Sequence, residues 1–328
     1  MVWTVLEHAA MRHFLDFEKP IAELEGKIEE LRRMQEPGGL NIAEEVARLT
    51  DKADKQLRTT YARLTPWQKT LVARHPNRPK ALDYLRGLFT DYTPLAGDRA
   101  FGEDAAIVGG LARFHGRPVM AIGTEKGDDT ESRVAHNFGS ARPEGYRKVR
   151  RLIELAGRFH LPILTFVDTS GAFPGIEAEA RGQAEAIARS TEACLDAPVP
   201  IIATIIGEGG SGGAIALATG DRVLMLEHSI YSVISPEGCA SILWRDAAQA
   251  NVAAEALRLT AEDLRALHLI DQVVPEPLGG AHRSREATLQ AVGDAIQATL
   301  LPLCELDGPT LIARRREKFL AMGRDGLV

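Results

Sequence analysis

Cysteine is scarce. Cys194, Cys239 and Cys304 are the only three in 328 residues, far apart and odd in number. This argues against a disulfide framework and a self-contained four-ligand zinc site, and makes a reducing cytoplasm the simplest compartment. No apolar run approaches the roughly 20 residues needed to cross a bilayer. The N-terminal stretch MVWTVLEHAAMRHF has too short an apolar part, and turns acidic too soon, for a secretory signal. Met11 is an alternative start, so residues 1–13 are expected to form a tail. A net charge of −6 removes any expectation of general nucleic-acid binding, although local basic patches can still meet phosphates. Solenoid-length repeats and low-complexity tracts are also missing. What remains, 45% hydrophobic and 26% charged, is an ordinary globular composition. The length suits one large domain with an appendage, or two modest domains.

Residues 14–63 read as a helical hairpin. Ile21, Leu24, Ile28 and Leu31 share one helix face; Pro37-Gly38-Gly39 breaks the pattern, and Asn41 stands where it can cap a second helix carrying Ile42, Val46 and Leu49. So narrow a stripe suits packing or a partner better than chemistry. Pro66 to Pro79 reads as a punctuated connector, and Leu82 to Leu88 as a short helix. From about residue 104 the pattern changes to short apolar runs at 106–112, 118–122, 162–167, 199–206 and 222–226. Helical stretches at 144–159 and 178–195 separate the later runs. Near-continuous apolar strands alternating with helices indicate an α/β fold whose sheet is covered on both faces. After Glu237 the chain reads as mainly helical.

Two strand-to-helix junctions carry the chemistry. One is Asp168-Thr169-Ser170-Gly171-Ala172-Phe173-Pro174-Gly175; the other is Gly207-Glu208-Gly209-Gly210-Ser211-Gly212-Gly213. Glycine lets the backbone turn sharply and approach a ligand with no Cβ in the way. A helix starting at Ser211 or Gly212 leaves its first amides aimed into the turn, at the positive end of the helix dipole. That is the chemistry of an oxyanion hole. Three other readings share these letters. Gly207 to Gly212 fits G-x-G-x-x-G, with Glu227 about where a ribose-binding acid would lie, although only about two helical turns intervene. Gly209 to Gly213 fits the nucleophile elbow G-x-S-x-G around Ser211, with Asp221, Asp246, His228, His268 and His282 downstream. The third is a tight turn serving helix–sheet packing alone. The presence of two such junctions weighs against packing alone, because together they offer amides from two directions.

At these residues the sequence resembles the α subunit of the bacterial multi-subunit acetyl-CoA carboxylase carboxyltransferase. The matching stretches are FLDFEKPIAELEGKIEEL (14–31), ARHPNRP (73–79), LAGDRAF (95–101), PEGYRK (143–148), GEGGSGGAIA (207–216), SVISPEGCASILW (232–244) and EPLGGAH (276–282). The resemblance implies a crotonase-like (ClpP/crotonase) ββα superhelical fold over residues 91–300. Before it come an N-terminal helical region at 14–90, and after it a helical tail at 301–328. It implies carboxyl transfer from carboxybiotin, held on a separate biotin carboxyl carrier protein, to acetyl-CoA, giving malonyl-CoA for fatty-acid biosynthesis. Alternatives are another acyl-CoA such as propionyl-CoA, or a non-catalytic scaffold role. The implied partners are a β subunit with a zinc ribbon, in an α2β2 assembly, and a biotin carboxylase. This chain holds no P-loop, no Met-Lys-Met biotinylation motif and no four-cysteine zinc site of its own.

The resemblance assigns residues as well. The amides of Gly212 and Gly213, with Gly209 and Gly210 shaping the turn, are expected to hold the ureido oxygen of biotin. The β subunit is expected to hold the thioester oxygen. Losing one such donor typically costs about 2.7–4 kcal/mol of transition-state stabilisation. Ser170, Gly171, Ala172, Phe173 and Gly175 are expected to line the cleft. Ser235, Pro236, Glu237 and Gly238 are expected at the site or a subunit interface, with helix capping the competing role for Glu237. Arg142, Arg147, Lys148, Arg150 and Arg151 would meet coenzyme A phosphates or a partner, or form a solvated helix face. The sequence departs from the family habit at Ser170, usually proline, at Glu177 to Arg181, and in the less basic segment 128–136.

Overall fold

The computed structural model describes residues 13–33 and 40–324. Residues 1–12 of the expected tail, Met11 among them, and the Pro37-Gly38-Gly39 break lie outside these residues. The chain divides into two compact units that meet in sequence at Arg63 and Leu64.

In the first unit, α1 (Lys19–Arg33) and α2 (Leu40–Tyr61) form the expected hairpin. Ile28, Leu49 and Ala53 are buried together, with Leu24, Leu31 and Val46 packed on them. The α2 helix starts at Leu40, so Asn41 falls inside its first turn and not ahead of it. Buried Glu18 accepts hydrogen bonds from the Leu15 amide (2.9 Å) and the Tyr61 hydroxyl (3.0 Å).

The second unit begins with α3 (Pro66–Ala73), α4 (Ala81–Leu88) and β1 (Phe89–Pro94). The span 14–90 is therefore shared between the two units. Part of the expected connector is the helix α3: Thr65 accepts from the Gln68 amide, Gln68 returns a bond to the Thr65 amide, and Pro66 opens the helix. Next come β2 (Ile107–Phe114), β3 (Arg117–Thr124), α5 (Thr130–Ala135), α6 (Pro143–Arg158) and β4 (Ile163–Thr169). Then α7 (Ile176–Ala180) and α8 (Gln183–Asp196) replace the single helix expected at 178–195, because Gly182 turns left-handed at φ +81°. They are followed by β5 (Ile201–Gly210), α9 (Ser211–Ala218), β6 (Arg222–Leu226), β7 (Ile230–Ser232), α10 (Pro236–Trp244), α11 (Ala250–Ala256) and α12 (Ala261–Ala266). The short strand β8 (Gln272–Val274) interrupts the expected helical end before α13 (Arg285–Leu303) and α14 (Gly308–Ala321).

The sheet runs β1-β2-β3-β4-β5-β6-β8, with β7 also pairing β5. The β1–β2–β3 part is antiparallel, and β3 onward is parallel. His115-Gly116, both at positive φ, close the β2–β3 hairpin. The unexpected β1 is an edge strand, polar and mostly exposed, with a bulge between Thr90 and Thr93 and a terminal proline. Alternation along β5 sends Ile201, Ala203 and Ile205 into a core with Val149, Leu152 and Leu217. Ile202 and Ile206 enter a second core with Tyr84, Phe166 and Ile296. Both faces of the parallel part are thus covered, as the near-continuous apolar runs require. Behind it, fully buried Arg315 of α14 grips Asp221 (2.7 and 3.0 Å) and donates to the carbonyls of Cys194, Ala197 and Val199. No helix among the described residues is long and apolar enough to cross a membrane.

His282 stacks on His75 with ring centroids 3.7 Å apart. Burial, with His75, Arg283 and Arg78 close by, depresses its pKa to about 3. The unfolded chain, with a histidine pKa of about 6.5, takes up that proton more readily, so this contribution to stability is whole above about pH 6.5 and declines as pH falls. Replacing His282 by Phe is expected to flatten the loss of stability between about pH 6.5 and 5, above the main carboxylate range. Urea denaturation across that window measures it.

Candidate functional site

Strands β4 and β5 end side by side, but not in step. Val167 pairs with Ile205 and Thr169 with Gly209, so two steps along β4 match four along β5. The extra residues form a bulge at Ile206-Gly207-Glu208, a device that re-aims a strand end. Beyond it the two glycine turns pack against each other. A Cβ on Gly210 would lie 2.3 Å from the Ser170 carbonyl carbon and oxygen. One on Gly213 would lie 2.9 Å from the Ala172 nitrogen and the Gly171 carbonyl carbon. Gly171 adopts φ +142°, and the Thr169 hydroxyl closes its turn by bonding the Gly171 amide and carbonyl. Gly209 lies against the ring of Tyr231, where a Cβ would come within 2.7 Å. Gly212 differs: the nearest atom to a Cβ there is Ile187 Cγ2 at 3.5 Å. The α9 helix begins at Ser211 (φ +52°), and no side chain caps its first turn.

Of the expected residues, the structure therefore gathers Ser170, Gly171 and Ala172 with Gly209, Gly210, Gly212 and Gly213. The Phe173 amide donates to the Ala141 carbonyl (3.0 Å) and Arg142 lies over its ring at 4.8 Å. Gly175 sits against the Phe173 ring and precedes α7. Ser235 caps α10 by accepting from the Gly238 amide (3.1 Å), with Pro236 in the first turn. Glu237 does not do the capping; its carboxylate takes Arg74 at 2.5 Å. The basic run on α6 is mostly committed to structure. Lys148 donates to the Asp104 and Ile107 carbonyls, Arg151 to those of Gly97 and Leu95, and Arg147 to Asp98. Arg150 alone follows the solvated-face pattern, pairing with Glu154.

A charge cluster that residue patterns did not single out sits under the bulge. Lys126, which follows β3, bonds Asp168 Oδ1 (2.7 Å) and Glu208 Oε2 (3.1 Å). Arg74, which follows α3, bonds Glu208 Oε1 (2.8 Å) and reaches Glu237. Burial opposes the Lys126 charge, but Asp168 and Glu208 outweigh it and hold the ammonium pKa above its usual value. Burial likewise works against the Glu208 carboxylate, and Lys126 and Arg74 prevail, lowering its pKa. These groups converge from chain positions 74, 126, 168, 208 and 237; only the tertiary fold brings them together. Arg74, Lys126, Asp168 and Glu208 line a cavity of about 280 Å³ that also borders Ser170 and Phe138. A second cavity, about 210 Å³ and mainly apolar, borders Ser211, Ile215, Tyr231, Val233, Leu264 and Phe319.

Several partners of the rival motif readings are engaged elsewhere. Glu227 accepts the Glu276 amide (3.1 Å), as a strand-end tie. Asp221 is held by Arg315, Asp246 caps a short turn, and His282 stacks on His75, so none of these serves Ser211.

The space around each glycine gives a direct test. Gly213→Ala pushes on backbone and is expected to cost about 1–3 kcal/mol, whereas Gly212→Ala should stay within about 0.5 kcal/mol. Thermal unfolding of the two variants checks the difference.

The chain matches the family model described as acetyl co-enzyme A carboxylase carboxyltransferase-like over residues 14–323. It is 69% identical over 317 residues to the acetyl-coenzyme A carboxylase carboxyl transferase subunit alpha of Gluconacetobacter diazotrophicus, covering 97% of this chain and 100% of that one. To the protein of the same name from Acidiphilium cryptum it is 70% identical over 314 residues, covering 96% and 99%. Among solved structures, a Pseudomonas malonate decarboxylase hetero-tetramer in complex with coenzyme A shares the fold with a TM-score of 0.58 at 19% identity, over 72% of this chain and 92% of that one. Transcarboxylase 12S does so with a TM-score of 0.53 at 21% identity, over 68% and 42%. The crotonase-like fold expected from the motifs is thereby established. With an uncapped helix start where two glycine turns interlock and near-complete matches to its relatives, the chain belongs to the acetyl-CoA carboxylase carboxyltransferase α-subunit family, enzyme subunits that work with a partner subunit.

Proposed function

We propose that this chain transfers the carboxyl group of carboxybiotin, carried on a separate biotin carboxyl carrier protein, to acetyl-CoA to form malonyl-CoA for fatty-acid biosynthesis. In this reading it forms one half of a site completed by a zinc-ribbon β subunit, in an α2β2 assembly served by a biotin carboxylase. The observation that carries the reading is the start of α9, whose first turn lacks a side-chain cap and where Gly212 has room while its neighbours are locked. Amides there meet a developing oxyanion without reorganising, which is what makes such donors effective.

The surroundings suit a ring ligand with one accepting oxygen. The apolar cavity at Ser211, Ile215, Tyr231 and Val233 takes the ring, and the adjacent helix start takes the oxygen. Bound there, carboxybiotin supplies the carboxyl group. This chain's part is to hold the ureido oxygen through the Gly212 and Gly213 amides and to keep the ring dry. Ser211 supplies backbone and a rim to the cavity, not a nucleophile.

The partner reading rests on an exposed apolar group beside the site. Val233, Ile242 and Leu243 are 72%, 71% and 64% exposed, and Trp244 adds to the same helix end. Exposed apolar clusters of this kind mark interaction surfaces. Replacing both Ile242 and Leu243 by Asp is expected to abolish co-elution with the β subunit while leaving the thermal stability of the isolated chain unchanged. Retained co-elution would place the interface elsewhere. For the site itself, Gly212→Val in the reconstituted complex is expected to lower turnover in malonyl-CoA-to-biotin transfer by about 10²–10³-fold. Unchanged turnover would instead favour a scaffold role.

A further inference from the structure

Carboxyl transfer at the glycine turn needs amide donors aimed to within a fraction of an ångström. The β5 strand does not reach that turn by regular pairing; its last segment is displaced by the bulge at Ile206-Gly207-Glu208. On one edge Glu208 to Gly210 pair in parallel with Ile230 to Ser232 of β7, and on the β4 edge a side chain holds the bulge. The Glu208 amide donates to Asp168 Oδ1 at 2.9 Å, and Gly207 lies so close to the same carboxylate that a Cβ would be 2.5 Å from it. The Asp168 main chain is anchored in turn, its amide donating to the Thr124 hydroxyl at 2.6 Å. Lys126 bridges Asp168 and Glu208, and Arg74 carries the link from Glu208 to Glu237 in the first turn of α10.

From this geometry we infer that Lys126, acting through Asp168 and Glu208, is a positioning residue that sets the β5 bulge and so aims the 209–213 amides. Three observations point the same way. First, the bulge and the carboxylate are complementary, since only a glycine at 207 fits against Asp168. Second, one ammonium lies within 3.1 Å of two carboxylates that are themselves 6% and 8% exposed, so removing it takes away the Asp168 ion pair and leaves that carboxylate beside Glu208, which keeps Arg74, in a poorly solvated place. Third, the Lys126 loop is itself braced: the Glu125 carboxylate accepts the Leu82 amide (2.8 Å) and the Gly127 amide (2.7 Å). Lys126 need not touch substrate for this role. Its effect passes along β5 to the helix start, and through Arg74 to α10, so both segments bordering the cleft depend on it.

This inference rests on the oxyanion reading of Gly212 and Gly213, and its test keeps the two apart. Lys126→Met, Lys126→Met/Glu208→Gln, Asp168→Asn and Gly212→Val are each assembled with the β subunit and assayed for malonyl-CoA-to-biotin transfer. Lys126→Met is expected to lower kcat by about tenfold or more while the KM for malonyl-CoA moves by less than about twofold, as for loss of an interaction made only in the transition state. The double variant, which restores the net charge of the cluster, is expected to recover a large part of that kcat. A Lys126→Met complex with kcat within about twofold of the parent overturns the inference, as does a double variant no better than the single one. Should Lys126→Met fail to assemble, Asp168→Asn decides. It keeps the shape and the acceptor for the Glu208 amide but weakens the link to Lys126; a kcat fall with unchanged KM supports the inference, and unchanged kcat refutes it. Gly212→Val separates the failures: full turnover there removes the oxyanion reading, whereas loss there alongside normal Lys126→Met turnover removes only the positioning role.

Discussion

The structure of the site depends on one steric constraint, the backbone contact between Gly210 and Ser170. At 2.3 Å from the Ser170 carbonyl group there is no room for any Cβ. That contact requires β5 to overshoot β4 by two residues, and the overshoot requires something other than the sheet ladder to hold its amide. The Asp168 carboxylate fills that need, and Lys126 and Arg74 neutralise the acids gathered there. The start of α9 then faces outward without a capping side chain, which is unfavourable for the helix alone and useful where an anion must be held.

Charge and apolar surface are distributed unevenly around the turns. The cavity beside the charge cluster borders Ser170 and Glu208, and the apolar one borders Ser211. In the polar cluster each cation has an acid within salt-bridge distance: Arg74 with Glu208 and Glu237, Lys126 with Asp168 and Glu208. Such a cluster contributes fixed geometry more than net attraction. The basic residues of α6 follow the same economy. Lys148 and Arg151 donate to carbonyls of the loop before β2 and of its first residue, although a run of arginines and lysines in sequence invites a phosphate reading.

Much of this was legible beforehand. The alternation of apolar runs with helical periods located β2 to β6 to within about four residues at each end, and the glycine spacing put the helix start at Ser211 or Gly212, where α9 begins at Ser211. Motif similarity supplied the fold and the family. Other features were less visible for identifiable reasons. The β1 strand is polar because it is an edge, and β7 and β8 are three residues each, too short for any periodicity. The α3 helix was announced by Thr65-Pro66 and Gln68, a capping signal masked by the later prolines of the same stretch. The role of Glu237 was open between cap and site; Ser235 is the cap, and the Glu237 carboxylate bonds Arg74 from a distant helix end.

Sequence by itself determined most of the longer elements and the chemistry available at each turn, because periodicity, capping and glycine content act over a few neighbouring residues. It determined the family too, since long unusual stretches do not recur by chance. Only the tertiary structure decided which glycines are packing and which is open: Gly209, Gly210 and Gly213 are pinned by Tyr231, Ser170 and Ala172, while Gly212 is not. It alone brought Lys126, Asp168, Glu208 and Arg74 together. Coulomb attraction and steric exclusion act through space over a few ångströms, and no local pattern records which distant segment the sheet will place beside another.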